Sequence, residues 1–249
     1  MVGDIRSKIA SLVTRMGESP IDTIVDIPAG HGYLAAEFAK LLPASRLLGV
    51  GLPSDIVSYN QLRRSEAFAE EVWSRIDYLC SDAMYLPIRD NSCDLVVNFL
   101  GLEDIKMTRG EEGVRQALAE MVRVVKPSGL VQISVAEYGD LPEERIAEEV
   151  WKSTGLNVDF APRDWYAQVL ESANVKCAGE DEFLYPKKMT AEQAKEELRF
   201  ACEKTPRTFF SFGVSAISFE KLWSKHGEKI EKHGMAYWSR IRVILFQKA

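Results

Sequence analysis

The sequence predicts an α/β protein built on a mostly parallel sheet that helices cover on both faces. Segments typical of strands alternate with segments of helical apolar spacing as far as about residue 135. The strand segments are almost continuously apolar, as strands buried on both faces are. No long linker or internal repeat divides the 249 residues, so we predict a single domain over residues 1–249.

The elements of the first half can be assigned in order. Apolar residues at helical spacing predict a leading helix within residues 1–19, which Gly17 ends. Apolar, β-branched runs predict strands at 23–27, 46–51, 76–80, 94–99 and 130–135. Helical stripes predict helices at 34–42, 55–72 and 114–125, and the last of these stops at residues 126–129.

The last third has a different pattern. A helix is predicted at 164–173, and two late strands are predicted at 175–183 and 238–248. Between these strands, Thr190 and Gln193 have the spacing of a capping box, and helical stripes follow at 191–201 and 219–226. We therefore predict a helical insertion at 184–236 that forms a cap over the carboxyl edge of the sheet, as a lid, a dimer contact or both.

Composition excludes several classes of protein. Lys and Arg total 31 and Asp and Glu total 37, so the net charge is −6, which argues against broad binding to nucleic acid. The N-terminus lacks the pattern of a signal peptide, and no apolar run is long enough to span a membrane. Four scattered cysteines fit reduced thiols rather than a disulfide scaffold. We predict a cytoplasmic protein with no nucleic-acid or membrane partner.

The strongest local signal is the segment Asp26-Ile27-Pro28-Ala29-Gly30-His31-Gly32-Tyr33. It places an acid at the end of a strand and a turn of small residues before a helix. Glycines in such a turn let a ligand approach the backbone closely. In open α/β sheets, ligands bind at the carboxyl ends of the strands. The segment therefore predicts a ligand site at this edge.

Four segments in order resemble class I S-adenosylmethionine-dependent methyltransferases over about residues 20–180. Residues 26–32 resemble the first motif, D-x-G-x-G-x-G, with proline for the first glycine. Residues 81–87 resemble the adenine-site segment, and residues 94–99 resemble the fourth-strand motif. Residues 120–129 resemble the segment E-x-x-R-V-L-K-P-G-G. The resemblance implies a three-layer Rossmann-like methyltransferase fold, with seven strands and a C-terminal antiparallel hairpin.

The same resemblance implies a cofactor, S-adenosyl-L-methionine, with S-adenosyl-L-homocysteine as its product. Asp26 and the backbone at 30–32 would hold the methionine end. Asp82 would bind the adenine amino group, with Ala83 beside the ring, and Asn98 and Phe99 would lie near the methyl group. The full implied set is Asp26, Pro28, Ala29, Gly30, Gly32, Tyr33, Gly51, Leu52, Asp82, Ala83, Asn98 and Phe99.

The sequence departs from the family pattern at one position. The family usually has an acid at the end of the second strand that binds both ribose hydroxyls, and Gly51 stands there. Without that charge-assisted contact, cofactor binding should be weaker unless another group replaces it. Asp55 could reach the ribose if the turn folds back, although a first-turn acid favoured by the helix dipole is the stronger interpretation.

Methyl transfer depends mainly on alignment, and a base is needed only where the acceptor must lose a proton. Glu103 and Asp104 are expected on a loop after the fourth strand, and Glu137 and Tyr138 follow the fifth strand. Of these we select Glu103 and Tyr138 as catalytic candidates. A solvated loop, a helix cap or a polar strand end remain alternative interpretations, and His31 is expected to be an exposed turn residue.

No metal site is predicted. His226 and His233 are seven residues apart, but Gly227 between them argues against one continuous helix, and no cysteine or carboxylate has ligand spacing. The Asp and Asp-Asn ligands of the metal-dependent members of the family are also missing after the fifth strand. Of the late aromatic residues, we expect most in the core and one or two in a substrate pocket.

A small-molecule acceptor is the favoured function, because the D-P-P-Y type of sequence found in DNA amino-methylating members is absent. A methyltransferase-like protein that binds or regulates without catalysis is the alternative, motivated by Gly51. A nucleotide-dependent dehydrogenase fits poorly, because the glycine spacing and the terminal hairpin argue against it. The oligomeric state and the acceptor atom stay open.

Overall fold

A computed structural model of the chain describes residues 2–17, 20–184 and 187–249. The strands are β1 (Thr23–Asp26), β2 (Arg46–Gly51), β3 (Ile76–Cys80), β4 (Cys93–Val97), β5 (Val125–Glu137), β6 (Val175–Leu184), β7 (Lys188–Met189), β8 (Met235–Ala236) and β9 (Arg240–Lys248). The α-helices are α1 (Val2–Met16), α2 (Tyr33–Leu41), α3 (Ile56–Arg63), α4 (Glu70–Trp73), α5 (Leu102–Val124), α6 (Pro142–Ser153), α7 (Arg163–Glu171), α8 (Ala191–Glu203), α9 (Thr205–Thr208) and α10 (Phe219–His233).

Seven strands form the main sheet in the order β3-β2-β1-β4-β5-β9-β6. Strands β1 to β5 run parallel, and β9 is antiparallel to both of its neighbours, β5 and β6. The predicted fold class, a mostly parallel sheet with a C-terminal antiparallel hairpin, is confirmed. Strands β7 and β8 pair separately in a small antiparallel sheet that the sequence analysis did not foresee.

Helices cover both faces of the sheet because alternate residues of each strand point to opposite sides. On β1, Ile24 belongs to the apolar layer under α1 and α2, and Val25 belongs to the layer under α5 and α7. Leu95 and Val96 divide in the same way on β4. The continuous apolar character of these strands therefore reflects two cores rather than one.

The register brings several strand ends to one edge. Asp26 at the end of β1 lies beside Gly49 of β2 and Val97 of β4, and Gly51 lies beside Cys80 of β3. The segments that follow β1, β2, β3 and β4 therefore meet at the carboxyl edge of the sheet, as the sequence predicts.

Several predicted boundaries are wrong. The helix predicted at 55–72 is interrupted after Arg63, where the Ser65 hydroxyl donates to the carbonyl of Leu62 and accepts from the amide of Ala67. Helix α5 begins at Leu102 rather than near Val114, with a kink at Gly110 (φ 69°, ψ −173°). Strand β4 ends before Asn98.

Two helices also differ from the prediction. Helix α6 was not predicted at all, and α10 runs without interruption through Gly227. Within α10, His226 is buried and its Nε2 lies 3.1 Å from the Ser153 hydroxyl of α6, so the glycine lies at a packed helix crossing.

The insertion between β6 and β9 contains α8, α9 and α10, together with the two short strands β7 and β8. The capping box at its first helix is present: Thr190 Oγ1 accepts from the Gln193 amide at 3.2 Å, and the Gln193 side chain accepts from the Thr190 amide at 3.0 Å. Helices α8 and α10 pack on α6 through a third apolar cluster that includes Leu198 and Leu222. Within the described ranges, no helix is long and apolar enough to cross a bilayer.

Candidate active site

The cavity that most of the implied cofactor residues line, which we call the main cavity, lies at the carboxyl edge of the sheet, between the turn after β1 and the insertion. Ten of the twelve residues of the implied cofactor set line it: Asp26, Pro28, Ala29, Gly30, Tyr33, Gly51, Leu52, Asp82, Ala83 and Phe99. Gly32 and Asn98 do not. The cavity is closed on other sides by α1, by the first turns of α5 and by Phe209 and Phe212 of the insertion.

The turn after β1 fixes Asp26 at the base of the cavity. Its Oδ2 accepts a hydrogen bond from the amide of Ala35, 3.2 Å away in the first turn of α2. Gly32 supports this turn from behind, because its φ of 87° and the Tyr59 ring, 2.9 Å from where a Cβ would lie, exclude a side chain. Burial raises the pKa of Asp26 to about 7, although the Ala35 hydrogen bond and the Arg6 charge oppose the shift.

Arg6 is a cavity residue that the sequence analysis missed. Helix α1 places its guanidinium over the rings of Tyr33 and Phe99, 4.8 and 4.7 Å from their centroids, and near the charge of Asp26. Burial lowers the pKa of Arg6, and Asp26 opposes that shift. No local pattern marks this residue, because its role depends on how α1 packs on a distant turn.

Asp82 occupies the opposite end of the cavity. Its Oδ1 accepts from the amide of Met84 at 3.0 Å, and its Oδ2 pairs with the guanidinium of Arg109 at 2.7 Å. The same guanidinium lies 4.7 Å from the centroid of Phe212. Arg109 of α5 thus connects the loop after β3 to the insertion, which fits the predicted cap over this edge.

The loop after β2 contributes Gly51, Leu52 and Asp55. Asp55 Oδ2 accepts from the amide of Leu52 at 2.9 Å, and the carboxylate lines the cavity. Asp55 therefore acts as an acid at the turn before α3, and it also reaches the cavity, so both interpretations of this residue agree with the structure.

The acidic pair at the start of α5 divides between two environments. Asp104 lines the cavity. The protein around its carboxyl group excludes water and so raises its pKa to about 6, and the negative charge of Asp55 adds to this shift. Glu103 is buried beneath the helix, outside the cavity, and neither of its carboxylate oxygens has a hydrogen-bond partner among the described residues. Burial raises the pKa of Glu103 to about 7. The expectation that Glu103 faces the cavity from a loop is wrong, because consecutive residues on a helix point in different directions.

A family profile for a methyltransferase domain matches residues 25–133. This range includes the glycine turn after β1, the Asp82 segment, β4 and the acidic pair Glu103 and Asp104. Over these residues, which are less than half of the chain, the sequence is similar to methyltransferase domains. A ubiquinone/menaquinone biosynthesis C-methyltransferase, UbiE, of Dinoroseobacter shibae is 32% identical over 119 residues, which cover 48% of this chain and 43% of that protein. The chain thus matches less than half the length of that curated relative.

Solved structures share the fold of this chain over nearly its whole length. The YcgJ protein of Bacillus subtilis has a TM-score of 0.63 at 14% identity and covers 97% of this chain and 98% of its own. The 4+2 cyclase SpnF has a TM-score of 0.58 at 16% identity, covering 97% and 80%. Such low identities establish the architecture alone.

The second catalytic candidate, Tyr138, also lies outside the main cavity. It lines a separate cavity after β5, where its ring is 5.3 Å from that of Phe160, and burial raises its pKa. Its neighbour Glu137 pairs with Arg242 at 3.0 Å. His31 does line the main cavity.

Asn98 faces the sheet rather than the cavity. Its side-chain amide donates to the carbonyl of Ile27 at 2.8 Å, and it is fully buried. This bond joins the end of β4 to the segment after β1, so Asn98 positions the glycine turn.

Of the late aromatic residues, Phe209 and Phe212 line the cavity, whereas Phe219 is buried and Phe210 is exposed. Across the described residues, no group of three or more His, Cys, Asp or Glu side chains could hold a metal ion.

Replacing Glu103 by methionine is expected to stabilise the protein. Between pH 4.5 and 7 the folded state keeps a proton that the unfolded state has released, so the Glu103 carboxyl weakens folding as pH rises through this window. We expect Glu103→Met to raise the free energy of unfolding by about 1–3 kcal/mol at pH 8 and by less at pH 5. Urea denaturation at both pH values measures this, with the exposed Glu111→Met as control. Lower stability at pH 8 would contradict the assignment.

Proposed function

We propose that this chain binds S-adenosylmethionine in the main cavity and transfers its methyl group to a small-molecule acceptor. The observation that carries the proposal is the charge arrangement of the cavity. Asp26 and Arg6 lie together at one end, and Asp82 lies at the other beside Ala83 and Leu52.

The residues present fit the cofactor. A carboxylate beside a guanidinium suits the two charged groups of an amino acid. Asp26 would bind the ammonium group of the cofactor, and Arg6 would bind its carboxylate group. At the other end, Asp82 would accept from the adenine amino group, and Ala83 and Leu52 would contact the ring. When bound, S-adenosylmethionine supplies an electrophilic methyl group. The chain's residues then have to align the acceptor with it.

We further propose that the acceptor is an aromatic ring that carries a hydroxyl group, as in a reduced quinone. The support is the name of the UbiE relatives and the apolar lining of the cavity beside Asp104, which includes Phe99, Leu100, Ile105, Phe209 and Phe212. A ring hydroxyl must lose its proton for the ring carbon to become a strong nucleophile. After the methyl group has moved from sulfur to this carbon, the carbon must release its own hydrogen as a proton, and the oxygen regains one, so that the aromatic ring and its hydroxyl group are restored. Asp104, with a pKa of about 6, is a cavity carboxylate suited to accept that proton.

Two measurements test the function in sequence. Calorimetric titration with S-adenosylmethionine and S-adenosylhomocysteine tests cofactor binding, and a dissociation constant below about 100 μM is expected. Methyl-labelled cofactor is then incubated with short-chain demethylated quinols and simple phenols under reducing conditions, and products are identified by mass spectrometry. Absence of cofactor binding by the folded protein would refute the proposal.

The Asp104→Asn variant is expected to retain cofactor affinity within about threefold and to lose roughly 10²- to 10³-fold in kcat with a hydroxylated acceptor. The carboxamide keeps the size of the side chain but cannot accept a proton. Single-turnover transfer at pH 6–8 is the measurement. The control is Asp164→Asn on the exposed surface of α7, which should change neither value. An unchanged kcat in the Asp104 variant would assign proton removal to another group.

A methyltransferase-like protein without methyl transfer is the second candidate. It is favoured by Gly51 at the usual position of the ribose-binding acid and by the name of SpnF, a cyclase with this fold. Tight cofactor binding with no label transferred to any acceptor would support it.

A further inference from the structure

We propose that Asp55, rather than a residue at the end of β2, binds the ribose hydroxyls of the cofactor. This inference rests on the proposed function, because it assigns a part of the same cavity. It concerns a position at which the chain departs from the family pattern, and it follows from the packing around Gly51.

Position 51 cannot hold an acidic side chain in this structure. A Cβ atom there would collide with the phenolic oxygen of Tyr78 and would lie 3.1 Å from its Cζ. Tyr78 belongs to the adjacent strand β3, and its ring packs against that of Tyr59, with 4.4 Å between centroids. The aromatic ring therefore fills the space that an acid at the end of β2 would need.

The Asp55 carboxylate lies in the space beside this ring. Its Oδ2 lies 3.0 Å from the position that a Cβ atom of residue 51 would occupy. The negative charge of Asp55 is therefore close to where the carboxylate of an acidic residue 51 would lie. A short 3₁₀ turn, Pro53–Asp55, folds the chain back far enough for this, and the Leu52 amide holds Oδ2 at 2.9 Å. Within the described ranges, no hydrogen bond engages Oδ1. One carboxylate oxygen thus fixes the turn and the other is available to a ligand.

The position of Asp55 along the cavity agrees with a ribose contact. It lines the cavity together with Gly51, Leu52 and Asp104, and its charge interacts with that of Asp104. The proposed amino-acid end, at Asp26, and the proposed adenine end, at Asp82, flank this stretch in chain order and in the sheet. The ribose joins those two parts of the cofactor. A first-turn acid serving only as a cap would not need to line the cavity.

The experiment compares two proteins and two ligands by calorimetry. The proteins are the wild type and Asp55→Asn, whose side-chain oxygen can still accept from the Leu52 amide. The ligands are S-adenosylhomocysteine and its 2′-deoxy form. We expect Asp55→Asn to weaken binding of S-adenosylhomocysteine by roughly 10- to 100-fold. The deoxy ligand should bind the wild type about tenfold or more weakly, but should lose little further affinity in the variant, because the two changes remove the same contact.

The exposed Asp77→Asn on β3 is the charge-matched control and should bind as the wild type does. A second design moves the acid from position 55 to position 51. Gly51→Asp alone should bind S-adenosylhomocysteine no better than the wild type does. The triple variant, Gly51→Asp with Asp55→Asn and Tyr78→Ala, should bind it at least about tenfold more tightly than Asp55→Asn. Equal affinity of wild type and Asp55→Asn, or equal losses for both ligands, would overturn the role of Asp55. Failure of the wild type to bind either ligand would instead overturn the proposed function.

Discussion

Replacing Asp26 by alanine is expected to weaken binding of S-adenosylhomocysteine by roughly 100-fold or more. Two losses combine in this variant. On the proposed binding mode, the ligand's ammonium group would lose a charged hydrogen-bond acceptor. The partly buried Arg6 also loses the nearby negative charge that stabilises it. The Ala35 amide at the start of α2 also loses its acceptor. Calorimetric titration of the purified variant measures the change.

Two further variants separate these contributions. Asp26→Asn keeps an acceptor for the Ala35 amide but removes the charge, so it should lose most of the affinity while α2 keeps its start. Asp164→Ala removes an equally charged group from the exposed surface of α7 and should bind as the wild type does. Retention of affinity in both Asp26 variants would place the amino-acid end of the cofactor elsewhere.

Replacing Arg123 by methionine is expected to lower the free energy of unfolding by about 2–3 kcal/mol. Arg123 holds Glu120 through two hydrogen bonds of 2.6 and 2.7 Å, and also donates to the carbonyls of Leu86 and Ile88 and to Asp90. Glu120 in turn accepts from the Leu86 amide at 2.7 Å. The pair therefore fastens residues 86–90 to helix α5. Without the guanidinium, Glu120 keeps a charge that has lost its main partner.

Urea denaturation measures the stability of this variant. The matched control is Arg145→Met, because the Arg145 ion pair with Asp140 is mostly exposed and should contribute less than about 1 kcal/mol. A double variant, Glu120→Gln with Arg123→Met, should recover part of the loss, since no unpaired charge remains. We also expect weaker binding of S-adenosylhomocysteine, because residues 86–90 continue the loop that contains Asp82. Unchanged stability would show that the network does not hold this segment.

The sequence predicted the sheet well because its signals are local or repeat along the chain. The strand at 46–51 matches β2 residue for residue, and the glycine turn, the Asp82 segment and the segment around Arg123 all lie where their order implied. Each of these segments is marked by a short sequence pattern that does not depend on how the elements pack on one another. The resemblance to a family then added the expected number of strands, seven, and the C-terminal antiparallel hairpin.

The failures have a different physical origin. Whether Glu103 or Asp104 faces the cavity depends on the rotation of α5 about its axis, which the apolar stripe near Val114 did not fix across the kink at Gly110. Arg6 reaches the cavity through the packing of α1, and Tyr78 fills the space at Gly51 from another strand. Such contacts join residues that are far apart in the chain, and no spacing rule encodes them.

The bridge from Asp82 through Arg109 to Phe212 has a thermodynamic consequence for the insertion. If an adenine amino group competes with Arg109 for the Asp82 carboxylate, ligand binding weakens the hold of α5 on residues 209–212. Linkage makes this effect reciprocal: docking of the insertion on Arg109 would lower the affinity of the cavity by the same free energy by which the bound ligand weakens that docking. On the proposed binding mode, the adenine group and the insertion would therefore be coupled through the Arg109 guanidinium, which contacts both Asp82 and Phe212.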